Sequence, residues 1–315
     1  MRAKLFFTIL LTTLSTFIVS AQAKKSAAPP AQSARAITVI TEPNAVVWLD
    51  DVKYGATDDS GKLTLRQVSA GAHRLRVRAN GFKEIAQTLS AAQKGDVKIA
   101  LSKTTDEAEI AFQQAETEAG KDREKAVELY KKAIALRPKY AEANLGLARV
   151  LLAEGETENA LKAIQSARAA RPAYAEASAV EGRIYQSEDK KDKAIATFKR
   201  SIAEGKNFQP EARTGLGLLY KDKAESFGAT GDFESEQQNY KLAADELDRA
   251  AAQLGTAPDA VTIYQLSGDC YERAKMFAQA IKTYEKFLRL FPNSDEAEAV
   301  RSFIVQINKR EQQQQ

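Results

Sequence analysis

The sequence holds little of the chemistry that catalytic or metal sites require. One His and one Cys stand among 315 residues, at positions 73 and 270, whereas zinc sites and His-centred triads draw on several such side chains. His73 opens a strand pattern in phase with Leu75 and Val77, which predicts a hydrogen-bonded structural imidazole. Cys270 lies beside Tyr271 in a helical pattern, which predicts a buried thiol; intermolecular pairing or redox sensing is the alternative. We therefore expect that the protein has no catalytic residues and is not an enzyme.

Two acidic pairs and one glycine motif are the remaining candidates for ligand binding. Asp50-Asp51 and Asp58-Asp59 could attract a hard cation, but they lack the alternating oxygen ligands and the glycine of a calcium loop. Gly215-Leu216-Gly217 lacks the preceding strand and the Gly-Lys-Ser/Thr of a phosphate loop. We therefore predict solvated turns, no metal and no cofactor.

The overall charge does not favour nucleic acid as a partner. The chain has 46 basic and 42 acidic residues, a formal net charge of +4. Nucleic-acid binding proteins usually concentrate a much larger positive excess on one face.

The N-terminus has the pattern of a secretory signal peptide. Arg2 and Lys4 precede an apolar stretch over 5–19, and Ala21-Gln22-Ala23 forms a small-x-small cleavage site. We predict a signal peptide at 1–23, and hence an exported, soluble protein that is periplasmic or secreted. The alternative is an uncleaved membrane anchor; no later segment is apolar enough to cross a bilayer.

Polar segments flank the folded part of the chain. Residues 24–35 mix Ala, Ser, Pro and basic residues without periodicity, which predicts a flexible linker. Residues 311–315 are predicted to form a polar tail.

Residues 36–103 show the alternation of half-buried strands. Apolar residues recur at every second position in five short segments, and turn-forming residues separate these segments. Asn80-Gly81 is the strongest turn signal because both residues tolerate positive φ. The apolar pairs are Ile37/Val39, Val47/Leu49, Leu63/Leu65, Leu75/Val77 and Ile99/Leu101. This spacing predicts a small all-β sandwich.

The motifs of this segment resemble those of the PEGA domain. The matching stretches are Glu42-Pro43-Asn44-Ala45, Val47-Trp48-Leu49-Asp50, Tyr54-Gly55-Ala56-Thr57, Ala70-Gly71-Ala72-His73 and Asn80-Gly81-Phe82. The sequence departs from the family at Asp51, where Gly is usual, and at Asp58, where Pro is usual. The resemblance implies a non-catalytic module that positions the protein in a bacterial cell envelope.

One strand of this domain carries a basic face. Arg74, Arg76 and Arg78 alternate with apolar residues and so share one side of the strand. This side, with Trp48, is a candidate contact for an anionic surface such as cell-wall glycan. The alternatives are a solvated outer face for the arginines and, for Trp48, cover by the neighbouring helices.

After Lys103 the apolar period becomes helical, and the sequence repeats itself every 34 residues. The equivalent positions are Ala126/Ala160/Ala194, Tyr130/Ile164/Phe198 and Pro138/Pro172. A later unit restates the pattern with Gly268, Tyr271, Ala280, Tyr284 and Pro292. Residues 104–310 therefore resemble tetratricopeptide repeats (TPR), whose period is 34.

The resemblance implies an all-α TPR solenoid of about five helix pairs after the β domain. The predicted units are 107–140, 141–174, 175–208, 209–257 and 260–293. The first unit departs from the pattern at Gln114 and Thr117, and we expect it to pack partly on the β domain. The fourth carries an insertion at 221–238, and a capping helix is predicted at 294–310.

The leading helix of each pair lines the concave face of such a solenoid. Arg149 and Arg183 are 34 residues apart and should stand side by side, with Lys221 further along. Leu145, Leu152, Gln186 and Leu218 complete this predicted groove. A row of cations with apolar flanks fits a carboxylate or an acidic peptide; the alternative is a solvated groove in which neighbouring glutamates pair with these cations.

The sequence thus favours a non-catalytic exported scaffold that binds a protein or peptide partner through its TPR groove. TPR domains that clamp a C-terminal carboxylate present Lys and Asn at set sites. Because the corresponding places here hold Leu145 and Arg149, that specific partner is not implied. The alternative function is binding of cell-wall or surface glycan by the basic face of the β domain.

Overall fold

The fold is taken from a computed structural model that describes residues 35–313. The predicted signal peptide and nearly all of the predicted linker lie outside the described residues. Arg35 was expected in the linker, but it opens the first strand and is 6% exposed. Its guanidinium donates to the carbonyls of Gly71, at 2.7 Å, and Ala91. The packed part of the β domain therefore begins at Arg35.

Seven strands form two sheets in the N-terminal domain. They are β1 (Arg35–Ile40), β2 (Val46–Leu49), β3 (Val52–Ala56), β4 (Lys62–Val68), β5 (His73–Arg78), β6 (Ile85–Leu89) and β7 (Gly95–Lys98). One sheet has the order β4-β1-β7, in which β1 and β7 are parallel. The other has the order β3-β2-β5-β6 and is antiparallel throughout. The inward residues of both sheets share one apolar core.

The strand prediction differs from the structure at the last strand. The alternation of Ile99 and Leu101 predicted a strand there, but β7 ends at Lys98. Ile99 is nevertheless buried, and its N–H donates to the Ile40 carbonyl at 2.9 Å. The apolar pattern thus correctly predicted that Ile99 is buried, but it predicted the wrong bounds for the last strand.

Eleven helices follow in the described part of the chain. They are α1 (Glu107–Glu118), α2 (Arg123–Leu136), α3 (Ala141–Ala153), α4 (Thr157–Ala170), α5 (Ala175–Ser187), α6 (Lys191–Glu204), α7 (Pro210–Ala229), α8 (Phe233–Leu254), α9 (Ala260–Arg273), α10 (Phe277–Leu290) and α11 (Ala297–Gln313). Consecutive helices pack as hairpins, and the leading helices α3, α5 and α7 also contact one another. No described helix combines the length and the apolar character needed to span a bilayer.

Glycines let the two helices of a hairpin approach closely. A Cβ on Gly182 of α5 would lie 2.6 Å from the ring of Phe198 on α6. A Cβ on Gly268 of α9 would lie 2.1 Å from the ring of Tyr284 on α10. Both distances are far below van der Waals contact, so the buried aromatic ring leaves no room for a side chain at either position.

The extra residues of the fourth unit lengthen its helices. α7 has 20 residues and α8 has 22, whereas α3 has 13. Arg213, whose side chain is 5% exposed, ties the two long helices together through Glu246 at 2.5 Å. The predicted insertion at 221–238 therefore falls in a longer helical hairpin and its turn.

Candidate partner-binding site

The leading helices bring two arginines of the predicted groove to one carboxylate. Arg149 of α3 lies 2.6 Å from Oε2 of Glu211, and Arg183 of α5 lies 3.3 Å from Oε1 of the same residue. Glu211 stands in the first turn of α7. Three successive leading helices thus each contribute one charged side chain to a single cluster, which we call the Arg-Glu-Arg cluster.

The Arg-Glu-Arg cluster keeps an excess of positive charge in contact with solvent. The Arg149 and Arg183 side chains are 42% and 50% exposed, and Glu211 is 25% exposed. The negative charge of Glu211 raises the pKa of Arg149 above its ordinary value. Burial lowers this pKa, but the effect of Glu211 is larger, and the charge of Glu116 raises the pKa further. One carboxylate therefore serves two half-exposed guanidiniums, each of which has five N–H donors.

Of the other predicted groove residues, three are partly exposed to solvent and one is buried in the core. Leu152, Gln186 and Leu218 are half-buried, so part of each side chain reaches solvent. Leu145 is 7% exposed and belongs to the apolar core of the first repeats. Leu145 was expected to line the groove; the packing between α3 and its neighbours removes it from the accessible surface.

Lys221 lies apart from the Arg-Glu-Arg cluster. It is ten residues beyond Glu211 on α7, a separation of about 15 Å along a helix axis. Its ammonium lies 2.5 Å from Glu225 on the same helix, and this bond raises the pKa of Lys221. The predicted row of cations is therefore interrupted, and all three of its cations have carboxylate partners.

The basic face of the β domain is largely occupied by acidic partners. The Arg76 and Arg78 side chains are 22% and 12% exposed, and both approach Glu84, at 3.6 and 3.7 Å. Arg78 also lies 3.2 Å from Glu116 of α1. Arg74 is the most exposed of the three, at 58%, and it pairs with Asp51. This face is a junction with the helical region more than an open cationic surface.

Trp48 is covered by the same arginines. The residue is 9% exposed, and the guanidiniums of Arg76 and Arg78 lie 4.4 and 4.9 Å from the ring centre. Such cation–π stacking explains how a residue that alternates with inward side chains is still removed from water.

A second repeated feature was not recognised from the sequence. Arg137 stacks on Tyr140 and Arg171 stacks on Tyr174, each with 4.3 Å from guanidinium carbon to ring centre. The spacing of 34 between equivalent residues was the available signal. These stacks brace the turns that precede α3 and α5.

The unique His and Cys occupy structural positions. The two ring nitrogens of His73 lie 2.6 Å from Asp50 Oδ2 and 2.9 Å from the carbonyl of Ser69. Cys270 is fully buried in the core, and burial raises the pKa of its thiol to about 12. Within residues 35–313, no group of three or more His, Cys, Asp or Glu side chains is arranged to hold a metal ion.

Comparison with known proteins supports the repeat assignment. Sequence models described as tetratricopeptide repeat match residues 117–167, 148–207 and 263–294. No curated protein matches the chain.

The chain is similar over part of its length to several solved structures. Yeast Tom70 is 13% identical, with a TM-score of 0.51 over 66% of this chain and 41% of its own. A thermophilic TPR protein of Thermus thermophilus is 17% identical, with a TM-score of 0.43 over 64% of this chain and 98% of its own. MamA is 20% identical, with a TM-score of 0.40 over 62% and 96%. The described chain is thus a small two-sheet β domain followed by a solenoid-like helical region that contains tetratricopeptide repeats.

Proposed function

We propose that this protein is a non-catalytic scaffold that binds an acidic peptide segment of a partner protein on the concave face of its TPR array. The observation that carries the proposal is the Arg-Glu-Arg cluster, in which two guanidiniums share one carboxylate. The net charge of the cluster is +1 and each arginine is about half exposed. A carboxylate of the partner can therefore bond to the free N–H groups or replace Glu211.

The surroundings of the cluster suit a peptide. Leu152 and Leu218 expose apolar surface on the same set of leading helices, and Gln186 supplies an amide. Repeat arrays bind extended partners along such concave faces. Alternating charged and apolar contacts would give an acidic-apolar segment both affinity and register.

We also propose that the β domain is a PEGA-like module and that the protein is exported. The first part rests on the residue motifs over 36–103, which are compatible with two small sheets around one core. The export proposal rests on the pattern of residues 1–23. N-terminal sequencing of the protein recovered from its native envelope fraction tests it: a mature chain that begins after Ala23 supports export, and an intact Met1 contradicts cleavage.

A peptide selection tests the binding proposal even though the partner is unidentified. A phage-displayed library of random peptides is selected on the full chain and counter-selected on Arg149→Glu/Arg183→Glu. Lys132→Glu/Lys199→Glu is the matched control, since it makes the same charge change at exposed positions of the outer helices α2 and α6. We expect enriched peptides to be rich in Asp and Glu and to bind the control as well as wild type. Neutral or basic enriched peptides, or equal binding to both double variants, would refute the proposal.

A further inference from the structure

Strand β4 is an edge strand of the β domain. Its inner side pairs with β1, and no other described strand is hydrogen-bonded to its outer side. The outer side of an edge strand presents N–H and C=O groups that can pair with a further strand. The register of β4 against β1 determines which of these groups point outward.

Hydrogen bonds at the start of β4 fix the direction of its main-chain groups. The N–H of Lys62 donates to the Asp58 carboxylate, and the Lys62 carbonyl accepts from the Asp58 N–H, both at 2.9 Å. Both groups of Lys62 therefore point away from β1. Because successive residues of an antiparallel strand bond to opposite sides, Leu63 and Leu65 direct their groups to β1, and Thr64 directs its groups outward.

The next outward residue agrees with this assignment. The carbonyl of Arg66 accepts a hydrogen bond from Thr256 Oγ1, in the loop between α8 and α9, at 2.6 Å. Asp58 thus occupies the outer edge on one side of Thr64, and Thr256 occupies it on the other. Among residues 35–313, the N–H and C=O of Thr64 itself have no hydrogen-bond partner.

The open part of this edge lines a cleft between the β domain and the last helical hairpins. The cleft has a volume of about 290 Å³, and Thr64, Leu65 and Arg66 form its β4 side. Most of its wall is apolar or aromatic, through Tyr54, Leu65, Pro258, Leu290, Phe291 and Pro292. Clefts at domain boundaries are frequent binding sites. An apolar cavity of ~150 Å³ admits benzene, so this cleft has room for one or two apolar side chains.

A strand paired with β4 would place its side chains by the alternation of β4 itself. A residue opposite Thr64 would lie on the same face as Thr64, which is exposed to solvent. The residues before and after it would point to the opposite face, the side of Leu65. Leu65 is 1% exposed and lines the cleft. The two flanking residues would therefore enter the cleft, where apolar side chains fit.

Arg66 adds a preference for negative charge. It is the one charged side chain among the described residues that line the cleft, and it is exposed. An acidic residue beside the apolar pair would be attracted to its guanidinium.

We propose that the outer edge of β4 and this cleft form a second binding site, which takes an extended segment of a partner protein by β-strand addition. One residue of the segment forms two main-chain hydrogen bonds with Thr64. The residues on either side insert apolar side chains between Leu65 and Phe291, and an adjacent carboxylate pairs with Arg66. This site is distinct from the Arg-Glu-Arg cluster and does not depend on it.

Residue-resolved hydrogen exchange on the full chain tests whether the edge is open. The amide of Thr64 should exchange at least about tenfold faster than the amides of Leu63 and Leu65, because it has no hydrogen bond to break. Equal protection of the three amides would show that a second copy or residues 24–34 of this chain already pair with β4. That result would overturn the proposal of a partner segment.

Two matched proline variants supply the binding test. Thr64→Pro removes the outward N–H and leaves the bonds to β1 intact, as edge strands tolerate. Thr88→Pro is the control, because Thr88 is an exposed residue of β6, the edge strand of the other sheet. Its N–H also points outward, since Arg74, which lies opposite, makes its main-chain bonds to Asp50, both at 2.8 Å.

A phage-displayed library of random heptapeptides is selected on the full chain and counter-selected on Thr64→Pro. We expect enriched peptides to have two apolar residues separated by one residue, with an acidic neighbour. They should bind wild type, Thr88→Pro and Arg149→Glu/Arg183→Glu equally, and Thr64→Pro at least about tenfold more weakly. Failure to enrich any peptide, equal binding to Thr64→Pro, or loss of binding in either of the other variants would overturn the proposal.

Two further measurements hold if Thr64→Pro disturbs the fold, which circular dichroism would show. Asn293→Trp adds bulk to the loop side of the cleft and leaves β4 unchanged; it should weaken binding at least about tenfold. N-methylation of the selected peptide should have the same effect at the residue between the two apolar residues and little effect at either apolar residue, because only the middle N–H bonds to Thr64. Unchanged affinity for Asn293→Trp, or equal effects of N-methylation at all three positions, would exclude strand addition in this cleft.

Discussion

Glu211→Gln distinguishes two roles for the carboxylate of the Arg-Glu-Arg cluster. Glu211 either competes with the partner's carboxylate for the two arginines or holds these arginines in place for binding. The substitution keeps the size of the side chain and removes its charge, so the net charge of the cluster rises from +1 to +2. Exposed ion pairs contribute about 0.2–1 kcal/mol each. Since both arginines are about half exposed, losing two pairs should lower the free energy of unfolding by only about 1 kcal/mol.

The same substitution should strengthen peptide binding. If Glu211 competes with the partner's carboxylate, removing about 1 kcal/mol of competition tightens binding about fivefold. Isothermal titration with a selected acidic peptide measures the affinity, and urea unfolding followed by circular dichroism measures the stability. Glu225→Gln is the control, because it removes a partly exposed carboxylate from the same helix away from the cluster. Weaker binding by Glu211→Gln, or a stability loss above about 3 kcal/mol, would show that Glu211 holds the arginines in place and would refute the competition argument.

Three further predictions concern the scaffold. Gly268→Ala should destabilise the protein by about 2 kcal/mol in urea unfolding, because the new Cβ would lie 2.1 Å from the buried ring of Tyr284; an unchanged midpoint would mean that the ring moves freely. Arg213→Met should cost about 3 kcal/mol, since it leaves Glu246 in a largely buried site with only Arg249 as a charged partner; a neutral effect would show that the buried pair is dispensable. Cys270 should resist Ellman's reagent at pH 8 until the protein unfolds, and its contribution to stability should be present below its ordinary pKa of 9.0 and be lost as the pH rises towards about 12; rapid native-state labelling would contradict its burial.

The sequence predicted the repeat architecture well because the residues that recur every 34 positions are those that pack between neighbouring helices. Gly268 stood out in the repeat pattern, and the structure shows the aromatic ring that it accommodates and the corresponding ring beside Gly182. The strands were predicted where alternation was strong. β3 and β6 were missed because neither has two bulky aliphatic residues at alternate positions: β3 has Val52 and Tyr54, and in β6 Ile85 and Leu89 are four residues apart.

The candidate site was less accessible to sequence reasoning. Equivalent spacing placed Arg149 and Arg183 together, but it could not show that Glu211 bonds to both, since that depends on how α7 sits against α3 and α5. The basic face of β5 was misleading for a related reason. Alternation puts Arg76 and Arg78 on one side of the strand, and only the tertiary structure reveals that Glu84, Glu116 and α1 cover that side.

Peptide titration at two salt concentrations tests the central claim most directly. A selected acidic peptide should bind wild type and Lys132→Glu/Lys199→Glu with equal affinity, and it should bind Arg149→Glu/Arg183→Glu at least about tenfold more weakly. Added salt should weaken wild-type binding and have little effect on the Arg149→Glu/Arg183→Glu variant. Equal affinities for all three proteins, or an equal loss in both double variants, would contradict an acidic-peptide site on the concave face.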